Sequence, residues 1–161
     1  MWEKSRFTDP FMRANLIDYG ILIDTLECAV TWDQLPGVHT QVREVVEKRP
    51  QTICMIHISH LYPQQANRYF IFVIQYLGIN EYFLLQSSIP ETIQKSGVAM
   101  SHHHGIDKQT APWLKNQIGH ACINVLRTLK SHFDPENTMN HGGTLGLNMS
   151  ETQKEKRRGF R

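Results

Sequence analysis

The sequence predicts an α+β domain: an antiparallel sheet with helices on one face and a further long helix toward the C-terminus. Three observations predict it. A β-branched apolar run at residues 20–30 is followed by valines at helical spacing, two more β-rich runs flank a turn signal at 62–67, and an amphipathic pattern of helical period covers 112–132. With 161 residues, 40% of them hydrophobic and 20% charged, the chain has the size and composition of one globular domain with a buried core.

Residues 20–30 read Gly-Ile-Leu-Ile-Asp-Thr-Leu-Glu-Cys-Ala-Val and suit a largely buried first strand. Thr31, Trp32 and Asp33 offer helix-start chemistry, and Val38, Val42, Val45 and Val46 recur at helical spacing until Pro50 ends the helix. Residues 52–61 and 69–76 form a second and third strand, an antiparallel pair. The stretch 80–90 reads poorly as any element; residues 91–95 predict a short helix stopped by Gly97, and 98–101 a brief fourth strand. Strand, helix, strand, strand, helix, strand is the ferredoxin-like order, in which helices cover one sheet face and leave the other free. The helix at 112–132 carries an apolar stripe of Leu114, Ile118, Ala121, Cys122, Val125, Leu126, Leu129 and Phe133, with Pro112 in its first turn. Residues 136–147 are rich in Gly and Asn, and 148–161 read as a disordered polar tail.

Composition narrows the function. Most of the net charge of +2 sits in the last eight residues, a solvated tail with no aromatic stacking platform, so no nucleic-acid partner is expected. Cys28, Cys54 and Cys122 are far apart and lie in apolar segments, which predicts reduced core thiols rather than a disulfide framework or a metal site. The polar N-terminus has no signal-peptide pattern, and no apolar run reaches the roughly 20 residues that span a bilayer. A cytoplasmic location, peripheral to a membrane at most, is the default expectation.

The strongest local feature is Ser101-His102-His103-His104-Gly105, where a strand gives way to a loop. In extended backbone, His102 and His104 share one side while His103 turns away, so only two of the three imidazoles are expected to converge. Three readings stay open. One is acid–base or substrate contact, because imidazole exchanges protons near neutral pH. Another is a metal site of His102 and His104 with His57 or His60, although no HExxH-type spacing is present and no metal is expected. The third is a set of exposed loop histidines without a role.

The triplet, with Trp113-Leu114-Lys115 on the following helix and 134–140 reading Asp-Pro-Glu-Asn-Thr-Met-Asn, resembles the C-terminal region of alkyldihydroxyacetonephosphate synthases. These are FAD-linked oxidases of the vanillyl-alcohol-oxidase fold. Phe11-Met12-Arg13 and residues 20–32 are similar to the start of that family's cap, and Tyr69-Phe70-Ile71-Phe72 to its tyrosine-bearing strand, so the likeness covers 1–147. Related hydroxy-acid dehydrogenases usually carry Glu-His-Gly where this chain has its histidines.

The resemblance implies a cap and substrate domain of an FAD enzyme that exchanges the acyl group of acyl-dihydroxyacetone phosphate for a fatty alcohol. It implies Tyr69, His102, His103 and His104 as catalytic, Arg13 as a contact for an anionic substrate group, and His103, His104 and Asn140 beside the flavin. Taken alone, Tyr69 reads as an ordinary sheet residue, Arg13 as a surface cation and Asn140 as turn chemistry. Asp107 stands where the family has glycine and His141 where it has proline; an Asp107 carboxylate is expected to sit near the histidines. No Gly-rich phosphate loop occurs in the chain. The FAD is therefore expected to be bound mainly by an N-terminal domain absent here, lost or supplied as a separate partner, leaving an isolated fragment of doubtful activity. The free sheet face would favour self-association, a homodimer included. Oxidation of a 2-hydroxy acid such as D-lactate or glycolate, and a noncatalytic ferredoxin-like binding module, are the alternatives.

Overall fold

The computed structural model describes residue 3 and residues 7–159. Helix α1 (Asp9–Asp18) leads into strand β1 (Ile21–Thr31), helix α2 (Leu35–Glu47), strands β2 (Thr52–Ser59) and β3 (Gln65–Gln75), and helix α3 (Ile79–Lys95). A loop then reaches helix α4 (Ala111–Phe133), a 3-10 turn (Thr144–Gly146) and helix α5 (Glu151–Arg158). The strands form one antiparallel sheet of order β1-β3-β2. The expected fourth strand is reduced to a single antiparallel bridge, Ala29 to Ala99, with N–H···O distances of 3.1 and 3.2 Å on the outer edge of β1. That edge position completes the expected ferredoxin-like arrangement. Gly97 at φ +74° and the curled histidine loop confine the pairing to one residue.

Period-two alternation divides the sheet into two faces. Leu22, Leu26, Cys28 and Val30 of β1 and Phe70, Phe72 and Ile74 of β3 face the helices. They pack on Val38, Val42 and Val46 of α2, spaced four apart, and on Leu85, Ile89 and Ile93 of α3. Phe70, Phe72, Val42, Ile89 and Ile93 are fully buried. Among the described residues no helix packs on the opposite face: Ile21, Ile53 and Met55 are exposed there and Ile23, Ile71 and Val73 half-buried.

Several expectations change. Residues 79–95 form one continuous helix with Pro90 inside it, not a poorly defined stretch and a short helix. Proline inside a helix costs about 3 kcal/mol; burial of Tyr82, Leu85, Ile89, Pro90 and Ile93 along one side outweighs that. Helix α2 starts at Leu35, because Thr31 and Gln34 form a turn whose N–H···O bond is 3.2 Å. The stripe on α4 is only partly buried. Gly119, at φ 80° and ψ 165°, kinks the helix; Trp113, Leu114 and Ile123 are buried, while Val125, Leu129 and Phe133 are exposed. Cys122 is exposed as well, Cys54 is half-buried, and only Cys28 is a core thiol; all three are free. The tail read as disordered carries α5, which starts from a capping box of Ser150 and Gln153 and buries Lys154. No helix among the described residues is long and apolar enough to cross a membrane.

Replacing Phe70 by alanine is expected to lower unfolding free energy by about 3–5 kcal/mol, measured by chemical denaturation. Phe133→Ala, at an exposed position, should change it by no more than about 0.5 kcal/mol.

Candidate active site

The site grows from one carboxylate on the uncovered face of the sheet. Glu27 belongs to β1 and is only 2% exposed. The Ala29 to Ala99 bridge runs antiparallel, which brings Ser101 opposite Glu27. There the chain curls around the acid. The Ser101 hydroxyl donates to Glu27 Oε1 at 3.0 Å, and the backbone N–H groups of His102, His103 and His104 donate to the same oxygen at 3.1, 2.7 and 2.6 Å. Gly105, at φ +79°, closes the curl and its N–H donates to Ser101 Oγ at 2.9 Å. Successive N–H groups converging on one anion form a backbone nest.

The curl overturns the expected pairing of the histidines. The backbone is not extended, so His103 does not turn away: His103 and His104 meet on Tyr69. Tyr69 Oη lies 3.1 Å from His103 Nε2 and is in short contact with His104 Nε2. Tyr69 is the register partner of both Glu27 and His57, so the three stand in one row across the uncovered face. His102 turns to the rim, where its ring lies 5.0 Å from that of His60 and 5.6 Å from that of Tyr62, centroid to centroid. Glu27 Oε2 is buried without an aligned hydrogen bond, 2.9 Å from His103 Nδ1.

Two expected residues lie elsewhere. Arg13 pairs with Asp24 at 3.3 Å, and Asp24 also accepts the Tyr82 hydroxyl. Asp24 and Glu27 are three apart on β1 and so belong to opposite faces. Arg13 is therefore anchored on the helix side and not beside Tyr69. Asn140, at φ 50°, lines a cleft of about 490 Å³ with Ile106, Lys108 and Arg157. A smaller cleft of about 100 Å³ beside Glu27 and His104 shares only Asp107 and Gln109 with it. Asp107 does not serve the histidines. Its Oδ1 accepts the N–H groups of Gln109 and Thr110 at 2.8 and 3.1 Å, organising the entry to α4. His141 is held in its turn by Asn137 at 3.2 Å.

The electrostatics follow from the nest. Burial works to raise the Glu27 pKa. It is outweighed by the N–H groups of His104 and His103, the Ser101 hydroxyl and the charge of His104, which bring it down to about 2. Burial and the Glu27 charge push the Tyr69 phenol upward, so it is protonated at neutral pH. Ligand atoms of Glu27, His103 and His104, and of His60, His102 and His103, lie within 4.8 Å of one another. Each set offers three donors where a structural zinc takes four, and the rings already bond Tyr69 and one another, which favours reading a hydrogen-bonded cluster.

A three-stranded sheet with helices on one face and a tyrosine–histidine cluster on the other defines an α+β domain with one face left open. The family model described as FAD linked oxidases, C-terminal domain, matches residues 1–143, and the chain belongs to that family. Alkyldihydroxyacetonephosphate synthase of Dictyostelium discoideum is 28% identical over 163 residues, covering 96% of this chain and 26% of that protein. An uncharacterized FAD-linked oxidoreductase of Escherichia coli, YgcU, is 36% identical over 142 residues, covering 81% and 29%. A solved structure of an alkyldihydroxyacetonephosphate synthase has the same fold, with a TM-score of 0.57 at 23% identity over 84% of this chain and 22% of that one. The chain thus spans about a quarter of the length of these relatives.

The Glu27 residue missed by sequence reading is central to the cluster. It stood in view as a charge inside an apolar strand, flanked by Leu26 and Cys28. Its pKa is lower folded than free, so the stability it contributes is fully present above about 4.5 and lost as pH falls through about 2. Glu27→Gln should flatten that acid limb, read as unfolding free energy against pH in urea titrations. Superimposable acid limbs for the two proteins would remove the nest as the cause.

Proposed function

We propose that this chain is the cap and active-site portion of an FAD-dependent enzyme of the alkyldihydroxyacetonephosphate synthase type, exchanging an acyl group for a fatty alcohol. The observation that carries this reading is the convergence of Tyr69 Oη with His103 and His104 on the uncovered sheet face. Such an exchange begins with removal of a proton beside a ketone, which requires a positioned acceptor in a water-poor site. Tyr69 is the acceptor or relay, and the two imidazoles hold or move its proton. The apolar residues Ile23, Ile71 and Met55 on the same face exclude water once the face is covered.

FAD is the cofactor of the reading. When bound it supplies an electron-accepting ring; His103, His104 and the apolar sheet face suit contact with a flat ring. The sequence has no Gly-rich phosphate cradle, so a domain outside these residues holds most of the cofactor. Arg13 is left out of this proposed site, because it pairs with Asp24 on the helix side of the sheet, away from Tyr69. The likeness to an uncharacterized FAD-linked oxidoreductase supports a second reading, a net oxidation on the same scaffold, for which we propose a 2-hydroxy acid as the substrate class.

Purified alone, the chain should lack the flavin absorption spectrum; stoichiometric FAD in the preparation would contradict the division of cofactor binding. Joined to the flavin domain of the Dictyostelium relative, it should support acyl-for-alkyl exchange. Tyr69→Phe should then lower kcat by about 10²–10⁴-fold. Flavin reduction by 2-hydroxy acids without exchange would replace the synthase reading by the oxidase one, and an assembled but inert complex would leave only a binding module.

A further inference from the structure

We infer that Glu27 is a positioning residue that fixes the tautomer of His103 and thereby sets the direction of the whole hydrogen-bond chain on Tyr69. One oxygen of its carboxylate is saturated. Oε1 accepts four donors from 101–104. The other oxygen, Oε2, is buried, has no aligned partner, and faces His103 Nδ1 at 2.9 Å.

Three groups address that ring nitrogen. Besides Glu27 Oε2, His102 Nδ1 lies at 2.9 Å and Asn67 Nδ2 at 3.4 Å. The carboxylate decides among them. It is charged and buried, so leaving Oε2 unpaired costs more than leaving either neutral group unpaired, and a charge-assisted bond is roughly twice as strong as a neutral one. His102 stands at the rim and has water as an alternative. Asn67 has its Oδ1 buried without a partner, and rotating its amide by half a turn presents that oxygen to the Nδ1–H. His103 therefore carries its hydrogen on Nδ1, donating to Glu27, and its Nε2 bears the lone pair.

The remaining directions follow. Tyr69 has one hydroxyl hydrogen, and the lone pair of His103 Nε2, 3.1 Å away, accepts it. The short contact with His104 is then made by a His104 Nε2–H donating to Tyr69 Oη. The chain runs from His104 to Tyr69 to His103 to Glu27. This role rests on the exchange chemistry proposed above. As Tyr69 Oη takes the substrate proton, its own hydrogen passes to His103 Nε2. The C–H electron pair stays on the substrate carbon, delocalised into the adjoining ketone. The imidazolium formed at His103 sits against the Glu27 carboxylate, and the His104 N–H steadies the phenol oxygen. Glu27 touches no substrate.

The test needs neither flavin nor substrate. In the 15N-labelled chain at pH 8, above the ordinary titration range of imidazole, long-range proton–nitrogen correlation reports which ring nitrogen carries the hydrogen. The His103 resonances are assigned by their loss in His103→Gln. Wild type should have His103 as the Nδ1–H form. In Glu27→Gln the oxygen must remain where four donors converge, so the amide NH₂ takes the place of Oε2 and donates to Nδ1; the hydrogen should move to Nε2. An Nε2–H form in wild type overturns the inference, as does an unchanged tautomer in a folded Glu27→Gln. Should that variant fail to fold, the wild-type spectrum alone decides. Loss of the exchange reading would leave the tautomer result untouched, and a wrong tautomer would leave Tyr69 to be tested on its own.

Discussion

A buried carboxylate that must keep its charge is the constraint on which the rest of the site depends. An ionised group removed from water without compensation costs several kcal/mol. Glu27 escapes that cost because Ser101 and three consecutive backbone N–H groups close on one of its oxygens. The compensation is what shapes the loop. Four donors from adjacent residues reach a single atom only if the backbone curls, and the curl carries the side chains of His103 and His104 to the phenol of Tyr69. The Ala29 to Ala99 bridge matters for the same reason, since it sets which residues of the incoming chain stand opposite the acid. Removing the acceptor oxygen altogether would release the loop rather than a single contact.

The period of the strand separates two kinds of polar anchor. Asp24 and Glu27 are both acids in an otherwise apolar segment, yet an odd spacing sends them to opposite sides of the sheet. Asp24 serves the fold: it ties Arg13 of α1 and Tyr82 of α3 to the core side. Glu27 serves the open face. One apolar strand thus fastens the helices with one acid and organises the cluster with the other.

Much of this was legible in the sequence, and the failures have physical causes. The valine spacing of α2 and the β-branched runs of the three strands express burial directly, so periodicity found them. The histidine triplet identified the cluster because three adjacent imidazoles are rare. Its geometry was not legible, since the reading assumed extended backbone and no local signal says that a loop folds around a distant carboxylate. Pro90 hid α3, because its local cost is visible in sequence and the burial that outweighs it is not. The apolar stripe of α4 was overread: Gly119 turns the second half of the helix, and Val125, Leu129 and Phe133 stay exposed. The tail at 148–161 held a readable signal, Ser150 with Gln153 three residues later, a capping-box pattern that polar composition masked.

The cluster is assembled from within this chain, whereas its surroundings are not. The nest around Glu27 Oε1 is buried, but the His103 side chain is 40% exposed and, among the described residues, no helix packs on the apolar residues around it. Exposed hydrogen bonds compete with water, so the order imposed by Glu27 is weakest at the rings furthest from it. Covering the uncovered face would remove that competition and lower the local dielectric, which strengthens every charged contact in the row. It would do so without rebuilding the loop, because the donors that hold Glu27 belong to the same strand edge and its adjoining turn. On the proposed reading, geometry is supplied by this domain and water exclusion by the surface that covers it, a division that would let a preformed hydrogen-bond chain meet its reactant without first paying to organise itself.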